Sequence, residues 1–314
     1  MISLRGCIGN LFSCNDGSCI EMDKRCDGKL DCSDRSDEEE CTSLVSFEGY
    51  HSDLVPPPKV NNKDSRLNLT FSVSIAEILE INEFEGFLSL KMTFIRSWFN
   101  SHLTYLNLKK DTRKNVLSSA EVSHMWRPWT IFHNLETVED VMKTDFPDVT
   151  MIEANKNYTY KHDDRTNRRL TRLFDGSENM IIFTRERYLK FICNYDLQYY
   201  PFDKQTCGLE MYSANWNSIL LRPGSVEYLG PSDLQSHHIY NVFLCTVTDA
   251  SNGRKDVIML GIIMGRPLFS NILTVFLPTL ILLVLSQMAR MFYKNHMEMV
   301  IEINLTLLLV LATL

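Results

Sequence analysis

The sequence lacks the patterns that mark an enzyme's active site. No nucleophile–base constellation, phosphate-binding loop or catalytic metal cluster occurs in its 314 residues, and we predict that the protein is not an enzyme. Residues 1–6 lack the apolar core of a secretory signal, and the chain stops at Leu314 inside a hydrophobic run, so we expect a fragment of something longer. Lys and Arg do not outnumber Asp and Glu, since the net charge is −7, and we predict no nucleic-acid partner.

Cysteine, by contrast, is plentiful. The chain has nine cysteines, which predicts disulfides and an oxidising, extracellular compartment. Two glycosylation sequons, at Asn68 and Asn157, agree with this compartment. The odd cysteine is Cys245, for which we expect a buried free thiol.

The N-terminal segment carries six of these cysteines within its first 41 residues. A module this short cannot bury enough apolar surface alone and needs covalent staples. Its clustered carboxylates offer the hard oxygen ligands that calcium prefers. The strings CDGKLDC and SDRSDEEEC resemble the low-density-lipoprotein receptor class A repeat, over residues 7–41.

The resemblance to the class A repeat implies a disulfide pattern and a calcium site, whereas spacing alone leaves many connectivities open. The implied pairs are Cys7–Cys19, Cys14–Cys32 and Cys26–Cys41. The implied Ca²⁺ ligands are the carboxylates of Asp27, Asp31, Asp37 and Glu38 with the backbone carbonyls of Lys24 and Lys29. An extracellular protein ligand of the repeat is a further expected partner. Lys24 departs from the family, which usually has an aromatic residue there.

The middle of the chain has the periodicity of β-strands. We predict a linker over 42–65, with a stiff proline run, and a domain over 66–265. Apolar residues alternate strictly from Leu67 to Ile75 and again from Leu88 to Phe94, which is typical of half-buried strands. Several such runs favour an immunoglobulin-like β-sandwich.

The stretch CNYDLQYYPFDKQTC joins Cys193 to Cys207. A disulfide between them would close a short loop, which stabilises a fold by roughly 3 kcal/mol. Pro201 predicts a rigid turn that presents aromatic side chains and the Asp203 carboxylate. The whole string resembles the signature loop of the Cys-loop pentameric ligand-gated ion channels.

The same resemblance implies an agonist site between neighbouring subunits. SWFNSHL from Ser97, MWRPWTIFHN from Met125 and MYSANWN from Met211 look like segments that line it. The candidate ligand-binding residues are Arg96, Ile131, Trp216, Arg254 and Lys255. An aromatic cage suits quaternary amines, whereas Ile131 and two nearby cations favour an anionic or acidic agonist. The alternative for Trp216 is an ordinary core tryptophan.

Residues 135–180 form a longer stretch than this family usually has. It contains Arg165, Arg168, Arg169 and Arg172. We predict a solvated insertion loop, and the alternative is a basic patch that attracts an acidic partner.

The C-terminal residues 266–314 are predicted to cross the membrane. Residues 267–289 are overwhelmingly apolar and long enough to cross a bilayer, and we predict a first helix over 267–291, in which Pro278 is tolerated. Arg290 and Lys294 follow, so this end is predicted to be cytoplasmic. We therefore expect a multi-pass plasma-membrane protein with an extracellular N-terminal region. A second apolar helix begins at residue 298 and runs to 314.

The second helix has a polar stripe of the kind that lines a pore. The stripe consists of Glu298, Glu302, Thr306, Leu309 and Thr313. Leu309 falls at the family's gate leucine, while the alternative places both glutamates in the headgroup zone. Cation against anion selectivity stays open, because the glutamates favour cations and the Cys-loop ending resembles the anion-conducting branch.

The sequence thus predicts a multidomain chain, with a disulfide-rich calcium module, an extracellular sandwich and transmembrane helices truncated within the second. We interpret it as one subunit of a pentameric ligand-gated channel, in which other subunits and a small-molecule agonist are partners. Gating is assigned to Tyr200, Pro201, Phe202 and Asp203, with Asp203 pairing to Arg266. The alternative is a membrane-anchored binding protein or auxiliary subunit that works through its class A repeat. The agonist and the choice between homomer and heteromer stay open.

Overall fold

The structure is a computed structural model. It describes residues 7, 9–39, 41, 43–46, 57, 66–140, 148–162, 170–215, 217–234, 236–249, 254–267, 269, 272–292 and 297–313. Contacts divide the chain into two compact units. The first comprises Met1–Cys193, Gly208–Gly230 and Phe243–Gly261, and the second comprises Asn194–Cys207, Pro231–Val242 and Ile262–Leu314.

The N-terminal module of the first unit is held by disulfides around a very small core. Strands β1 (Leu11–Ser13) and β2 (Cys19–Glu21) pair antiparallel, and a 3-10 turn follows at Met22–Lys24. The core is Phe12, Met22 and the sulfurs of Cys14 and Cys32, with Ile20 packed against it. The disulfides Cys7–Cys19, Cys14–Cys32 and Cys26–Cys41 are the pairs that the class A resemblance implies. Such a core is too small to hold the module without these bonds.

Four strands of the same unit form a smaller sheet. Strand β3 (Leu44–Ser46) pairs with β6 (Leu103–Leu106), in the order β10 (Thr159–His162), β11 (Leu170–Asp175), β6, β3. Part of the predicted linker 42–65 is therefore a strand, because its backbone pairs with β6 through Leu44 and Tyr105. Apart from Pro57, the proline run lies outside the described residues.

The largest sheet has six strands. They are β4 (Leu67–Asn82), β5 (Phe87–Trp98), β8 (Leu135–Asp140), β9 (Val149–Glu153), β12 (Met180–Ile192) and β14 (Ile219–Tyr228). The order is β14-β4-β5-β12-β8, with β9 also on β12. The predicted alternation is confirmed, since the apolar residues of β4 and β5 are buried at every second position.

A further sheet has the order β15 (His238–Asp249), β16 (Arg254–Gly265), β13 (Lys204–Ser213), β7 (Thr130–Phe132). Within the first unit, side chains of β7 and of the segment before it pack on the six-stranded sheet. The rings of Phe94 and Phe132 are 5.3 Å apart, and Trp98 meets Trp126 edge-on at 6.0 Å. The result is the β-rich, sandwich-like domain that the periodicity predicts.

A short helix, α1 (Ser119–Ser123), is fastened at its start. Its N-cap residue Ser118 and Glu121 form a reciprocal capping box, which satisfies two backbone donors. The Glu121 carboxylate also accepts hydrogen bonds from the backbone N–H groups of Ser43 and Leu44, both at 3.1 Å. The helix thereby anchors the chain that leaves the N-terminal module.

The second unit contains two helices, α2 (Leu277–Phe292) and α3 (Met297–Thr313). The first begins later than the predicted residue 267, after a π-helical turn at Ile272–Phe276. Pro278 accounts for this, because it lacks a backbone donor and its ring excludes the regular bond to the residue four earlier. No helix in the described part of the chain combines the length and apolar character needed to cross a bilayer.

Candidate functional site

The Cys loop in the second unit forms the aromatic turn that its sequence predicts. Cys193 and Cys207, which bracket it, are both disulfide-bonded. Pro201 is buried, and the Tyr200–Pro201 peptide bond is cis. The flanking rings of Tyr200 and Phe202 are exposed, so the turn presents two aromatic faces.

Behind these rings lies a buried carboxylate with two charged or polar partners. Asp203 is only 5% exposed. Its Oδ1 accepts a hydrogen bond from Arg266 Nε at 3.0 Å, and its Oδ2 accepts one from Gln205 Nε2 at 2.5 Å. Burial opposes ionisation, but the hydrogen bonds from Gln205 and Arg266 outweigh it and lower the pKa of Asp203. The pair is therefore ionised at neutral pH.

The remaining contacts make this pair part of a larger cluster. The Gln205 amide is itself fixed, because it donates to the carbonyl of Asp196 at 2.6 Å and accepts from the Asp196 N–H at 2.9 Å. The Arg266 guanidinium lies 4.5 Å from the centre of the Tyr200 ring. The Phe202 ring is 6.5 Å from that of Phe276, just before α2. The structure thus brings the five predicted gating residues together around one ion pair.

The predicted agonist residues do not form one group among the described residues. Ile131 is half-buried on β7, between Thr130 and Phe132, whose side chains line a cavity on the opposite face. Arg96 lines that same cavity, so Ile131 and Arg96 lie on different faces. Trp216 lies outside the described residues. Arg254 and Lys255 begin β16, and their side chains also lie outside the described part.

The cavity in the first unit has a volume of about 510 Å³ and a basic wall. Four arginines line it: Arg96, Arg127, Arg185 and Arg187. Sequence reasoning missed three of them. The signal was available, because positions 185 and 187 continue the alternation of buried apolar residues along β12, where an arginine is out of place.

In the N-terminal module, one of the predicted calcium ligands is a buried carboxylate. Asp37 is fully buried; its Oδ2 accepts from the Asp31 N–H at 2.7 Å, while its Oδ1 has no hydrogen-bond partner. The Glu38 carboxylate accepts from the backbone N–H of Asp27 at 2.8 Å. A buried carboxylate oxygen without a donor is what a hard cation would satisfy.

In the described part of the chain, the carboxylates of the predicted calcium ligands do not form one compact group. Among the described residues, the one trio with ligand atoms within 4.8 Å of one another is Cys14, Cys32 and Asp34. Those two sulfurs form a disulfide and offer no thiolate. Lys24 forms a salt bridge of 3.2 Å to Asp31 through its ammonium group. The donor set suits calcium chemically, because carboxylate and carbonyl oxygens are the hard ligands that Ca²⁺ prefers.

The N-terminal module is fastened to the sandwich within the first unit. Arg172 on β11 forms an ion pair of 2.6 Å with Asp23. Lys109 Nζ donates to the backbone carbonyl oxygens of Arg25 and, at 3.4 Å, Asp23. The prediction of a solvated loop is therefore wrong at Arg172, which is buried and pairs with an acidic residue of the same chain. Residues 163–169, with the other three arginines, lie outside the described residues.

The predicted pore residues share one exposed face of α3. Glu298, Glu302, Thr306 and Leu309 are all exposed in the single chain, and the Thr313 side chain lies outside the described part. The helices α2 and α3 are joined by a hydrogen bond of 2.5 Å between Ser286 Oγ and Asn304 Oδ1. The stripe is left uncovered by the rest of the described chain.

The sequons and the odd cysteine occupy different environments. Asn157 is exposed, whereas Asn68 is half-buried on β4. Cys245 is a free thiol on β15 and is half-buried rather than fully buried.

Comparison with known proteins agrees with this architecture. Residues 40–227 match the family described as the neurotransmitter-gated ion-channel ligand binding domain. Residues 5–41 match the low-density lipoprotein receptor domain class A. Both matches confirm the resemblances seen in the sequence.

Three relatives show the range of similar proteins. The betaine receptor acr-23 of Caenorhabditis elegans is 24% identical over 56% of this chain and 28% of its own length. The neuronal acetylcholine receptor subunit alpha-9 of Rattus norvegicus is 25% identical over 54% of this chain and 29% of its own. The gamma-aminobutyric acid receptor subunit pi of the same species is 26% identical over 78% and 51%, respectively. The chain thus spans about half or less of the relatives that it matches.

Members of this family are membrane-embedded channel subunits that assemble as pentamers, bind small-molecule neurotransmitters and have an extracellular N-terminal domain. Ligand-gated channels are not enzymes, which confirms the prediction that this protein is not one. With its ligand-binding domain matched over residues 40–227, the chain belongs to the Cys-loop family of neurotransmitter-gated ion channels.

Proposed function

We propose that this protein is one subunit of a pentameric, agonist-gated ion channel of the plasma membrane. Agonist binds between the extracellular domains of neighbouring subunits, and the bound domains bias the membrane helices towards the open pore. Energetically, the agonist does this by binding the open state better than the closed state. The single observation that carries the proposal is the buried ion pair between Asp203 of the Cys loop and Arg266.

The ion pair suits a role in coupling agonist binding to pore opening, because its two partners lie in different segments of the chain. Asp203 belongs to the loop, and Arg266 directly follows the last strand and precedes the helical segment. A buried charge pair of this kind holds its partners in one geometry, since separating them leaves a charge without compensation. The Phe202 ring near Phe276 adds an apolar contact to the same segment. A displacement of the loop is thereby transmitted to the residues that lead into α2.

The agonist we infer is a small anionic or acidic molecule. Support comes from the sequence, which places Arg254 and Lys255 at the hairpin where related receptors usually have an aromatic residue. Relatives include a betaine receptor and a subunit of a gamma-aminobutyric acid receptor, so the test panel includes amine and acid groups.

The pore is assigned to the exposed stripe of α3. Rings of Glu298 and Glu302 lie at its cytoplasmic mouth and the Leu309 ring forms a hydrophobic gate that rehydrates on opening. Five copies of Glu302 around one axis favour cations electrostatically.

The proposal also includes a calcium site, a glycan and the side of the membrane that the sandwich faces. The class A module binds Ca²⁺ through the four carboxylates and the carbonyls of Lys24 and Lys29, with the unpaired oxygen of Asp37 as the supporting observation. Asn157 carries a glycan, and the sandwich faces the extracellular side.

The decisive experiment is voltage clamp of oocytes that express the complete gene product. A panel of acidic and amine transmitters is applied, and chloride and sodium are exchanged separately. A ligand-evoked current is expected, and its reversal potential reports the selectivity. Surface expression with no current, alone and with related subunits, would overturn the agonist-gated channel and favour a binding role for the class A repeat.

A further inference from the structure

The arginine-lined cavity lies on the inner face of the six-stranded sheet. Arg96 on β5 is directly opposite Phe183 on β12, and Arg185 is opposite Phe94. Because facing residues of paired strands point to the same side, these arginines share the side on which the sandwich core is buried. The cavity is therefore separate from the outward-facing residue Ile131 of the proposed agonist site.

Arg96 lies among charges of both signs in this cavity. One oxygen of Asp148 lies 3.2 Å from Arg185 Nε and 3.7 Å from an Arg187 nitrogen. Arg185 and Arg127 repel Arg96, whereas Asp148 attracts it. A carboxylate bound beside Arg96 would offset part of that repulsion.

Arg96 is the strongest single indication of a ligand. It is 9% exposed, and its one hydrogen bond in the described contacts runs from NH1 to the carbonyl of Pro128 at 2.8 Å. Its Nε is buried without a hydrogen-bond partner. Burial, together with Arg185 and Arg127, lowers its pKa to about 10, so the guanidinium stays charged at neutral pH. A buried charged group with an unused donor is costly unless an acceptor meets it.

The rest of the cavity lining is largely apolar and includes Phe94, Phe132, Phe183 and Met125. The Arg96 guanidinium lies 5.4 Å from the centre of the Phe183 ring, so basic and apolar groups adjoin each other. Trp129 also lines the cavity and is 76% exposed, and Arg127 is exposed as well, so the cavity is reached from solvent. A volume of about 510 Å³ is far larger than a single inorganic ion needs.

We propose that this cavity is a second ligand site, within one subunit, for a small organic acid. The carboxylate binds the guanidinium groups of Arg96 and Arg127, and the apolar body packs on the neighbouring phenylalanine rings. Arginine is suited to this because its planar fork matches a carboxylate with two parallel hydrogen bonds. Nothing in this assignment depends on channel gating.

The test uses the full chain, purified in detergent, with benzoate as the probe and benzamide as its uncharged match. Benzoate is expected to raise the melting temperature with increasing concentration and to quench tryptophan fluorescence, since Trp129 lines the cavity. Arg127→Gln is expected to weaken benzoate binding by roughly tenfold or more, the loss of one charge-assisted contact. Arg127 is exposed, so this variant keeps the fold.

Arg222→Gln is the matched control, because Arg222 is exposed on β14 and does not line the cavity. It is expected to bind benzoate as the unmodified chain does. Equal effects of benzoate and benzamide, or unchanged affinity in Arg127→Gln, would overturn the site. Stabilisation by sulfate but not by benzoate would overturn the assignment to an organic acid. These are binding measurements, so their failure leaves the gating proposal standing.

Discussion

Replacement of Asp203 by asparagine tests the central ion pair with little change of shape. The variant keeps one acceptor oxygen, so it can accept from either Arg266 or Gln205 but not from both, and it removes the negative charge. A hydrogen bond to a charged group contributes about 1.5–3 kcal/mol, and Arg266 keeps its contact with the Tyr200 ring. We therefore expect a loss of about 2 kcal/mol, which lowers the melting temperature of a domain of this size by roughly 4–8 °C.

A double-mutant cycle isolates the pair from its surroundings. Asp203→Asn, Arg266→Gln and the double variant are unfolded thermally with tryptophan fluorescence as the signal. We expect the double variant to be more stable than the sum of the two single losses predicts, with a coupling energy of about 1.5 kcal/mol or more. In oocytes, Asp203→Asn is expected to reach the surface normally but to require a higher agonist concentration for half-maximal current.

The pH dependence of the stability is a second, independent test of the ion pair. The folded-state pKa of Asp203 is lowered, so the pair's contribution is present above the unfolded pKa and is lost as the pH falls through the folded value. The stability difference between the unmodified chain and Asp203→Asn is thus expected to be constant near neutrality and to shrink in the acid range. Additive single losses, or a deficit that persists in acid, would refute the reasoning.

Other predictions concern the N-terminal module and the surface. Lys109→Met removes an ammonium that donates to two carbonyls of the module and is expected to speed amide hydrogen exchange there by roughly tenfold; the neighbouring, exposed Lys110→Met is the control, and equal exchange in both would contradict the contact. Asp37→Asn is expected to weaken Ca²⁺ binding by at least tenfold by calorimetry, whereas Asp16→Asn leaves it unchanged; retained affinity in the first variant would exclude Asp37 as a ligand. Asn157→Gln is expected to remove one glycosidase-sensitive mass step, and an unchanged mass would assign no glycan to that site.

Local sequence patterns predicted the features that depend only on residues close together in the chain. Strict alternation identified β4 and β5, because the side-chain period of a strand is two regardless of its neighbours. The cluster of cysteines identified a disulfide-held module, since so short a segment has no other source of stability. The turn at Pro201 was also predictable, because proline fixes its own backbone angle whatever the rest of the fold. The carboxylate of Asp203 belongs to the same short motif.

Features that depend on distant segments could not be predicted in the same way. Arg172 looked like part of a solvated basic loop, but it is buried and its ion-pair partner is Asp23, a residue about 150 positions earlier. Strand β3 looked like linker because three residues carry too little periodicity to mark a strand without the partner β6. Pro278 was assigned to the interior of a longer helix, although the π-helical turn before it ends that regularity.

The sequence alone determined the family, the disulfide-held module and the Cys loop with its carboxylate, because each is a short motif whose chemistry is local. The tertiary structure decided which arginines meet. Arg96 was predicted to bind the agonist, and the pairing of β5 with β12 brings it into one cavity with Arg185 and Arg187. The physical reason is that alternation shows which face of a strand is buried, whereas the neighbours on that face are set by the pairing of segments distant in sequence.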